Sequence, residues 1–254
     1  MLIIISPSKT LDFENKTSIR SGAEPEMISR SKKLVSLLKK KTPRQLAELM
    51  DISPKLAELN ALRYSEWTFP FPDGKSRPAL AAFKGDVYEG LKAWELTDGQ
   101  IDFADDHLRI LSGLYGILKP TDLILPYRLE MGTALHGKDY KNLYQFWGES
   151  ITKSIRKALR DSGSDILINL ASDEYAKAID FKALKARIIT PAFREFRDGK
   201  YKFVSFNAKR ARGLMTRFAI DRGISDPDDF KHFDYEGYGY MEGLSKGDQW
   251  VFVR

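Results

Sequence analysis

Four short polar clusters carry the residue types that acid–base, nucleophilic or anion-binding chemistry requires. Ser6-Pro7-Ser8-Lys9-Thr10 sets two hydroxyls and an ammonium directly after the apolar run Leu2–Ile5. Lys84-Gly85-Asp86-Val87-Tyr88 groups a cation, a carboxylate and a phenol beside a glycine. In Pro126-Tyr127-Arg128-Leu129-Glu130-Met131-Gly132 the Arg and Glu are two apart, hence on one side of an extended chain. Asn169-Leu-Ala-Ser172-Asp-Glu174-Tyr175-Ala-Lys177 follows a second apolar run. Lys9 or Lys84 could act as nucleophile or oxyanion partner, and Asp86, Glu130 or Glu174 as general acid or base. Each cluster alone is also ordinary turn chemistry. Four of them at loops around one sheet predict a cleft.

A further constellation is Ser205-Phe-Asn-Ala-Lys209-Arg210-Ala-Arg212-Gly. On a helical wheel Lys209, Arg210 and Arg217 lie opposite the apolar stripe Ala211, Leu214, Met215, Phe218 and Ala219, with Arg212 on its flank. Cations in a helix's first turn oppose its dipole by roughly 0.3–1 kcal/mol each. That cost suits a bound anion, although a solvated basic face has the same composition. Leu46-x-x-Leu49-Met-Asp51-Ile52-Ser53-Pro54-Lys55-x-Ala57 has the register of a helix-hairpin-helix, whose turn amides face a nucleic-acid phosphate. Asp51 and Ser53 stand where that motif carries glycine, and a plain helix–turn–helix packing unit is the other reading. The residues expected to contact nucleic acid are therefore Ser6, Ser8, Lys9, Ser53, Lys55, Lys84, Arg128, Lys177, Lys209, Arg210 and Arg212.

The elements that must position these groups follow from periodicity. Leu2–Ser6, Leu108–Ser112, Asp165–Leu170 and Gln249–Val253 read as strands. Arg187–Phe196 and Lys200–Phe206 flank Asp198-Gly199, the strongest short hairpin signal in the chain. Thr42 before Pro43 starts a helix to about Met50, and Pro54 opens another to Glu66. Glu24–Lys41, Ala79–Leu96, Asn142–Asp161 and Asn207–Arg222 are predicted helices, while Phe69–Pro78 and Lys119–Gly132 are predicted loops. Trp67, Trp94, Trp147 and Trp250 sit in apolar patterns and are expected in the core, with Trp67 and Phe69 placed where they could stack on a base. Ser112-Gly-Leu-Tyr115-Gly reads as a packed turn. The prediction is one α/β (mixed α+β) domain over residues 1–254. It has a mixed central sheet, surrounding helices and a helix-hairpin-helix-like element at about 43–66.

Composition narrows the function class. The 254 residues are 43% hydrophobic and 30% charged, enough apolar material for a substantial core. The absence of cysteine excludes disulfides, thiolate metal sites and cysteine nucleophiles. No run approaches membrane length, so a cytoplasmic protein with no membrane partner is expected. The formal net charge is +6, and it is unevenly spread. Seven basic residues and no acid lie between Arg30 and Arg44, and seven more meet only Asp221 between Lys200 and Arg222. Acids gather at Asp98–Asp106 and Asp226–Glu242. The three histidines show no ligand spacing, so neither a metal nor any cofactor is expected.

Six ordered motifs then resemble one family. They are Ile5-Ser-Pro-Ser-Lys-Thr-Leu-Asp12, Phe83-Lys-Gly-Asp-Val-Tyr88, Leu111-Ser-Gly-Leu-Tyr-Gly116 with Pro126-Tyr-Arg-Leu-Glu-Met-Gly132, Asn142-Leu-Tyr-x-Phe-Trp147, Asn169-Leu-Ala-Ser172 and Ala208-Lys-Arg-Ala-Arg-Gly213. Together they are similar to the YaaA family along the whole chain. The resemblance implies a bacterial cytoplasmic protein that limits peroxide damage, with a mixed α/β fold and a helix-hairpin-helix beside a positively charged cleft. It also implies backbone-mediated binding of double-stranded or distorted DNA. An enzyme acting on a nucleobase or nucleotide in the same cleft is the alternative, motivated by its carboxylates and lysines. An iron-handling or redox protein is disfavoured by the absence of thiols and histidine pairs.

Overall fold

A computed structural model describes all 254 residues. Its eight-stranded central sheet contains β1 (Leu2–Ile5), β2 (Leu108–Ser112), β3 (Gly116–Leu118), β4 (Ile166–Leu170), β5 (Arg187–Arg197), β6 (Lys200–Lys202), β7 (Gly239–Tyr240) and β8 (Gln249–Val253). The spatial order is β7-β8-β5-β4-β1-β2-β3, with β6 paired to β5. Strands β8, β5, β4, β1 and β2 are mutually parallel, and β3, β6 and β7 are antiparallel additions. The mixed α/β class expected from the sequence is the one observed.

Burial follows composition. The uninterrupted apolar β1 is buried at every residue, as a central parallel strand covered on both faces must be. In β5 the fully buried residues Ile189, Pro191, Phe193 and Glu195 alternate with partly exposed ones, so that strand is covered more completely on one side. One apolar core of 69 buried residues extends from Met1 to Phe252. The hairpin turn at Asp198-Gly199 is present, both residues at positive φ.

Three helical predictions are corrected, two of them where a glycine takes positive φ. Ala79–Leu96 is not one helix: it divides into helices Ala79–Ala82 and Asp86–Leu91 and a final 3-10 turn, broken at Gly85, whose φ is +132°. Asn142–Asp161 is interrupted at Gly148, φ +48°, into Leu143–Trp147 and Ser150–Asp161. The first predicted helix shortens to Ile28–Leu38. The acidic stretch 98–106 was not assigned structure from sequence; it is a helix, Asp98–His107, opened by a Thr97–Gln100 capping box. In the predicted Lys119–Gly132 loop only Leu123–Ile124 is extended, pairing with Arg77–Pro78.

The Ser205–Arg222 helix packs against Asp86–Leu91 through two glycines. A Cβ on Gly213 would overlap the Val87 carbonyl, and one on Gly90 would overlap the Arg210 carbonyl. Backbone therefore approaches backbone at this crossing, which carries Asp86, Lys209 and Arg212 toward a common edge of the sheet. Gly213→Ala should lower stability by about 3 kcal/mol, since the Val87 carbonyl it would meet is main chain and cannot rotate away. Thermal unfolding checks this: an unchanged midpoint would mean the two helices separate freely.

Candidate functional site

The parallel strands β1 and β4 lie side by side although the chain visits β2 and β3, on the other side of β1, between them. Connections that leave adjacent strands toward opposite sides open a crevice at the strands' carboxyl ends, where open α/β sheets bind ligands. Here that crevice lies between the loops that begin at Ser6 and Ala171. Ser6 Oγ donates to Ser172 Oγ at 3.2 Å and accepts the Ser172 amide at 2.9 Å. The Tyr88 hydroxyl donates to the Ser6 carbonyl at 3.1 Å. Burial holds that phenol well above its usual pKa, so it stays a donor at any physiological pH.

The loop after β1 is tied down a second time. Thr10 and Leu11 pair with Lys84 and Phe83, and Ser8 Oγ donates to the Lys84 carbonyl. Gly85 is needed directly beside this contact, because a Cβ there would press on Ser8 Oγ and φ is positive. The cleft so formed, about 290 Å³, is lined by Ser6, Ser8, Lys9, Asp86, Ser172, Glu174, Lys209 and Arg212 among others. Of the residues expected from sequence, the structure thus brings Ser6, Ser8, Lys9, Asp86, Glu174, Lys209 and Arg212 to one place.

Their charges are not equally available. Lys9 Nζ lies 2.6 Å from Glu130 Oε2, and Arg128 Nη2 lies 3.0 Å from Glu130 Oε1. Glu130 is therefore shared between two of the expected cations and offsets one of their two charges. Glu174 Oε1 accepts the Gly132 amide at 2.8 Å, joining the loop after β4 to the Arg128–Gly132 loop. Arg210 is committed elsewhere, to Glu236 Oε1 at 2.6 and 2.8 Å, and Arg217 to Asp221 at 2.7 Å. Arg212 differs from both. Its guanidinium faces the cleft half-buried, makes no ion pair and donates no hydrogen bond to protein; desolvation lowers its pKa, opposed only by the more distant Asp173. A desolvated and unpaired guanidinium has the chemistry to bind an anion.

The remaining predicted contacts lie outside this cleft. Lys84 contributes its carbonyl to the cleft wall, but its side chain lines a neighbouring pocket of about 350 Å³ with Tyr88 and Trp94. Lys177 sits over the Tyr144 ring at 5.3 Å. The helices Pro43–Met50 and Pro54–Glu66 form and join through a tight turn, with Asp51 left-handed at φ 50° and Ser53 capping the second helix. Neither Ser53 nor Lys55 lines the cleft. The basic stretch 30–44 contributes none of its lining either; Arg30 packs on Phe146 and Lys32 on Phe69.

Two aromatic expectations are corrected. Trp94 is not core but 56% exposed, whereas Trp67, Trp147 and Trp250 are buried. Trp67 donates to the Tyr115 hydroxyl at 3.1 Å and has no face for a base. Ser172 and Tyr88 emerge as the groups that lock the crevice. Their place directly after a strand, or three residues past a helix-breaking glycine, was their only local signal.

A separate cavity, about 690 Å³, lies around the His107 and Arg109 end of the Asp98–His107 helix. His107 Nδ1 lies 2.8 Å from the Met1 carbonyl there, so this cavity faces the amino end of β1, opposite the crevice. Its Asp122 is buried, accepts the Lys119 amide at 2.9 Å and is pushed up to about 7 by desolvation.

Sequence comparison bears on the whole chain. A family model described as peroxide stress protein YaaA matches residues 1–244. A UPF0246 protein of Hahella chejuensis is 50% identical, covering 100% of this chain and 99% of its own length. UPF0246 proteins of Chromobacterium violaceum and Aliivibrio fischeri are 48% and 49% identical, again over 100% of this chain and over 99% and 98% of theirs.

The Asp122 carboxyl keeps its proton in the folded chain to about pH 7, while unfolded it releases it near 3.8. The folded state thus binds the extra proton between those values. Stability from this residue is complete below about pH 4 and falls as pH rises toward 7, by up to about 1.4 kcal/mol per unit. Asp122→Asn should flatten that decline in melting temperature measured from pH 5 to pH 8; a slope equal to the parent's would show that Asp122 ionises normally.

Proposed function

This chain belongs to the YaaA family of peroxide stress proteins, and on that premise we propose that it binds DNA through the phosphate backbone at the crevice between β1 and β4. Binding of this kind, in the cytoplasm, would shield DNA or hold it for repair while peroxide and iron generate radicals. One observation carries the reading: Arg212, desolvated and unpaired, shares the cleft with Lys209, which also lacks an acidic partner. Two cations without protein counter-charges at a sheet's carboxyl edge suit a phosphate. The neighbouring Ser6–Ser172 pair offers hydroxyls to the same anion. Contacts to phosphate position a strand without reading its bases, so sequence specificity is not expected.

The paired cations refine this picture. Lys9 and Arg128 share the one carboxylate of Glu130, so together they bring one uncompensated positive charge and not two. Arg212 and Lys209 are the cations at the cleft with no ion-paired acid. Arg212→Glu should weaken binding at least tenfold to duplexes of unrelated sequence and make the logarithmic salt dependence shallower by about one unit per lost phosphate contact. Fluorescence anisotropy at several salt concentrations measures both. Binding like the parent's at low salt would remove the phosphate role of this cleft.

A second reading has its own support. Asp86 faces the cleft with no cation paired to it, and Glu174 lines the same wall. Phosphate contact does not call for carboxylates, whereas general acid–base chemistry on a base or nucleotide does. Release of free base, or a protein–DNA adduct that Asp86→Asn abolishes, would favour the enzyme; intact substrate after prolonged incubation would leave the binding reading alone.

A further inference from the structure

Three phenylalanines are exposed although the protein has an extensive aromatic core nearby. Phe196, Phe203 and Phe206 are 59%, 65% and 61% exposed, while Phe193, Phe218, Phe230, Phe233 and Phe252 are buried. All three lie within eleven residues, from the end of β5 through β6 to the first turn of the Ser205–Arg222 helix. Phe196 packs on Tyr201 across the hairpin, ring centroids 5.2 Å apart. Exposed apolar residues scattered singly need no explanation, but an aromatic group on one projecting hairpin does.

The charge around the group identifies its ligand. Arg194, Arg197, Lys200 and Lys209 lie near it along the chain and make no ion pair; Asp198 is taken by Lys202 at 2.7 Å, and Glu195 by Arg254 at 3.0 Å. The hairpin's two acids are thus neutralised and its remaining cations are free. Aromatic faces interleaved with unpaired cations match a single nucleic-acid strand, which offers both unstacked bases and phosphates. A paired duplex presents no free base face, and an apolar protein partner has no use for four cations.

The group is also continuous with the cleft. Phe206, Lys209 and Arg212 follow at intervals of three along one helix, so neighbouring side chains lie about 4.5 Å apart along its axis. Lys209 and Arg212 line the cleft, and Phe206 stands one step outside it. We propose that Phe196, Phe203 and Phe206 form a stacking platform for unpaired bases of the strand whose phosphates Lys209 and Arg212 hold. This deepens the DNA-binding reading and rests on it, and it makes the preferred ligand DNA that is single-stranded or locally opened.

The test uses the full chain, a 20-nucleotide oligothymidylate, a fully paired duplex, and the same duplex with a five-nucleotide internal bubble containing 2-aminopurine. The Phe203→Ala/Phe206→Ala double variant should bind the single strand and the bubble about tenfold or more weakly, yet bind the paired duplex within about twofold of the parent. The parent should quench 2-aminopurine fluorescence and the double variant should not, while Phe203→Trp should restore quenching. Because both side chains are exposed, the variant's melting temperature should match the parent's. Equal binding of all three probes by parent and variant would overturn the platform, as would equal loss on all three. A change in sedimentation instead of in DNA binding would assign the phenylalanines to self-association and also overturn it. Arg212→Glu separates the two ideas: if it alone weakens every probe, the cleft stands and the platform falls; if only the phenylalanine variant acts, the reverse holds.

Discussion

Two neighbouring parallel strands whose continuations part company leave a gap that their own loops cannot fill. That gap, between the ends of β1 and β4, is the constraint from which the arrangement of this molecule's polar residues follows. Main-chain groups at the ends of both strands would otherwise be exposed to a narrow crevice, and unsatisfied backbone is expensive. The Ser6 and Ser172 side chains satisfy part of it by bonding to each other and to the Ser172 amide, and Tyr88 satisfies the Ser6 carbonyl. The crevice is thus stabilised as a polar space and not closed by packing.

What surrounds it is arranged by close backbone contact. Gly90 and Gly213 let the Asp86–Leu91 and Ser205–Arg222 helices meet at main-chain distance. A Cβ at either position would meet main chain, so the crossing that sets Arg212 at the cleft needs both glycines. Held there, its guanidinium loses water without gaining a carboxylate. On the proposed reading an anion would take that place, at a site built from helix packing and not from a dedicated binding loop.

Part of the charge in this protein is self-compensated. Arg210, Arg217, Arg254, Lys9 and Arg128 each meet an acid, and several of these pairs join residues far apart in the chain. Exposed pairs of this kind add little stability, on the order of 0–1 kcal/mol. Their larger effect is to remove cations from the field seen by a polyanion. Each pair removes one charge of each sign, so the net charge of +6 is unchanged and is carried by cations that meet no acid.

Local pattern was sufficient for much of the architecture. The apolar run Leu2–Ile5 could only be a buried strand, Thr42-Pro43 could only start a helix, and Asp198-Gly199 tolerated the two positive φ values a tight hairpin needs. The stripe Ala211, Leu214, Met215, Phe218 and Ala219 faces the core as its period requires, and ordered motifs along the chain identified the family. Tertiary structure alone decided which of those residues meet. Arg210 and Arg212 are both expected from sequence to contact nucleic acid, yet Glu236, twenty-six positions from Arg210, neutralises that one and leaves the other. Gly148 ended one helix and Gly85 stood at the start of another, each at positive φ, and Trp94 faced outward while three other tryptophans did not. Periodicity records which side of an element is buried. It carries no information about which distant side chain will arrive beside it, and that is what makes a cation free or spent.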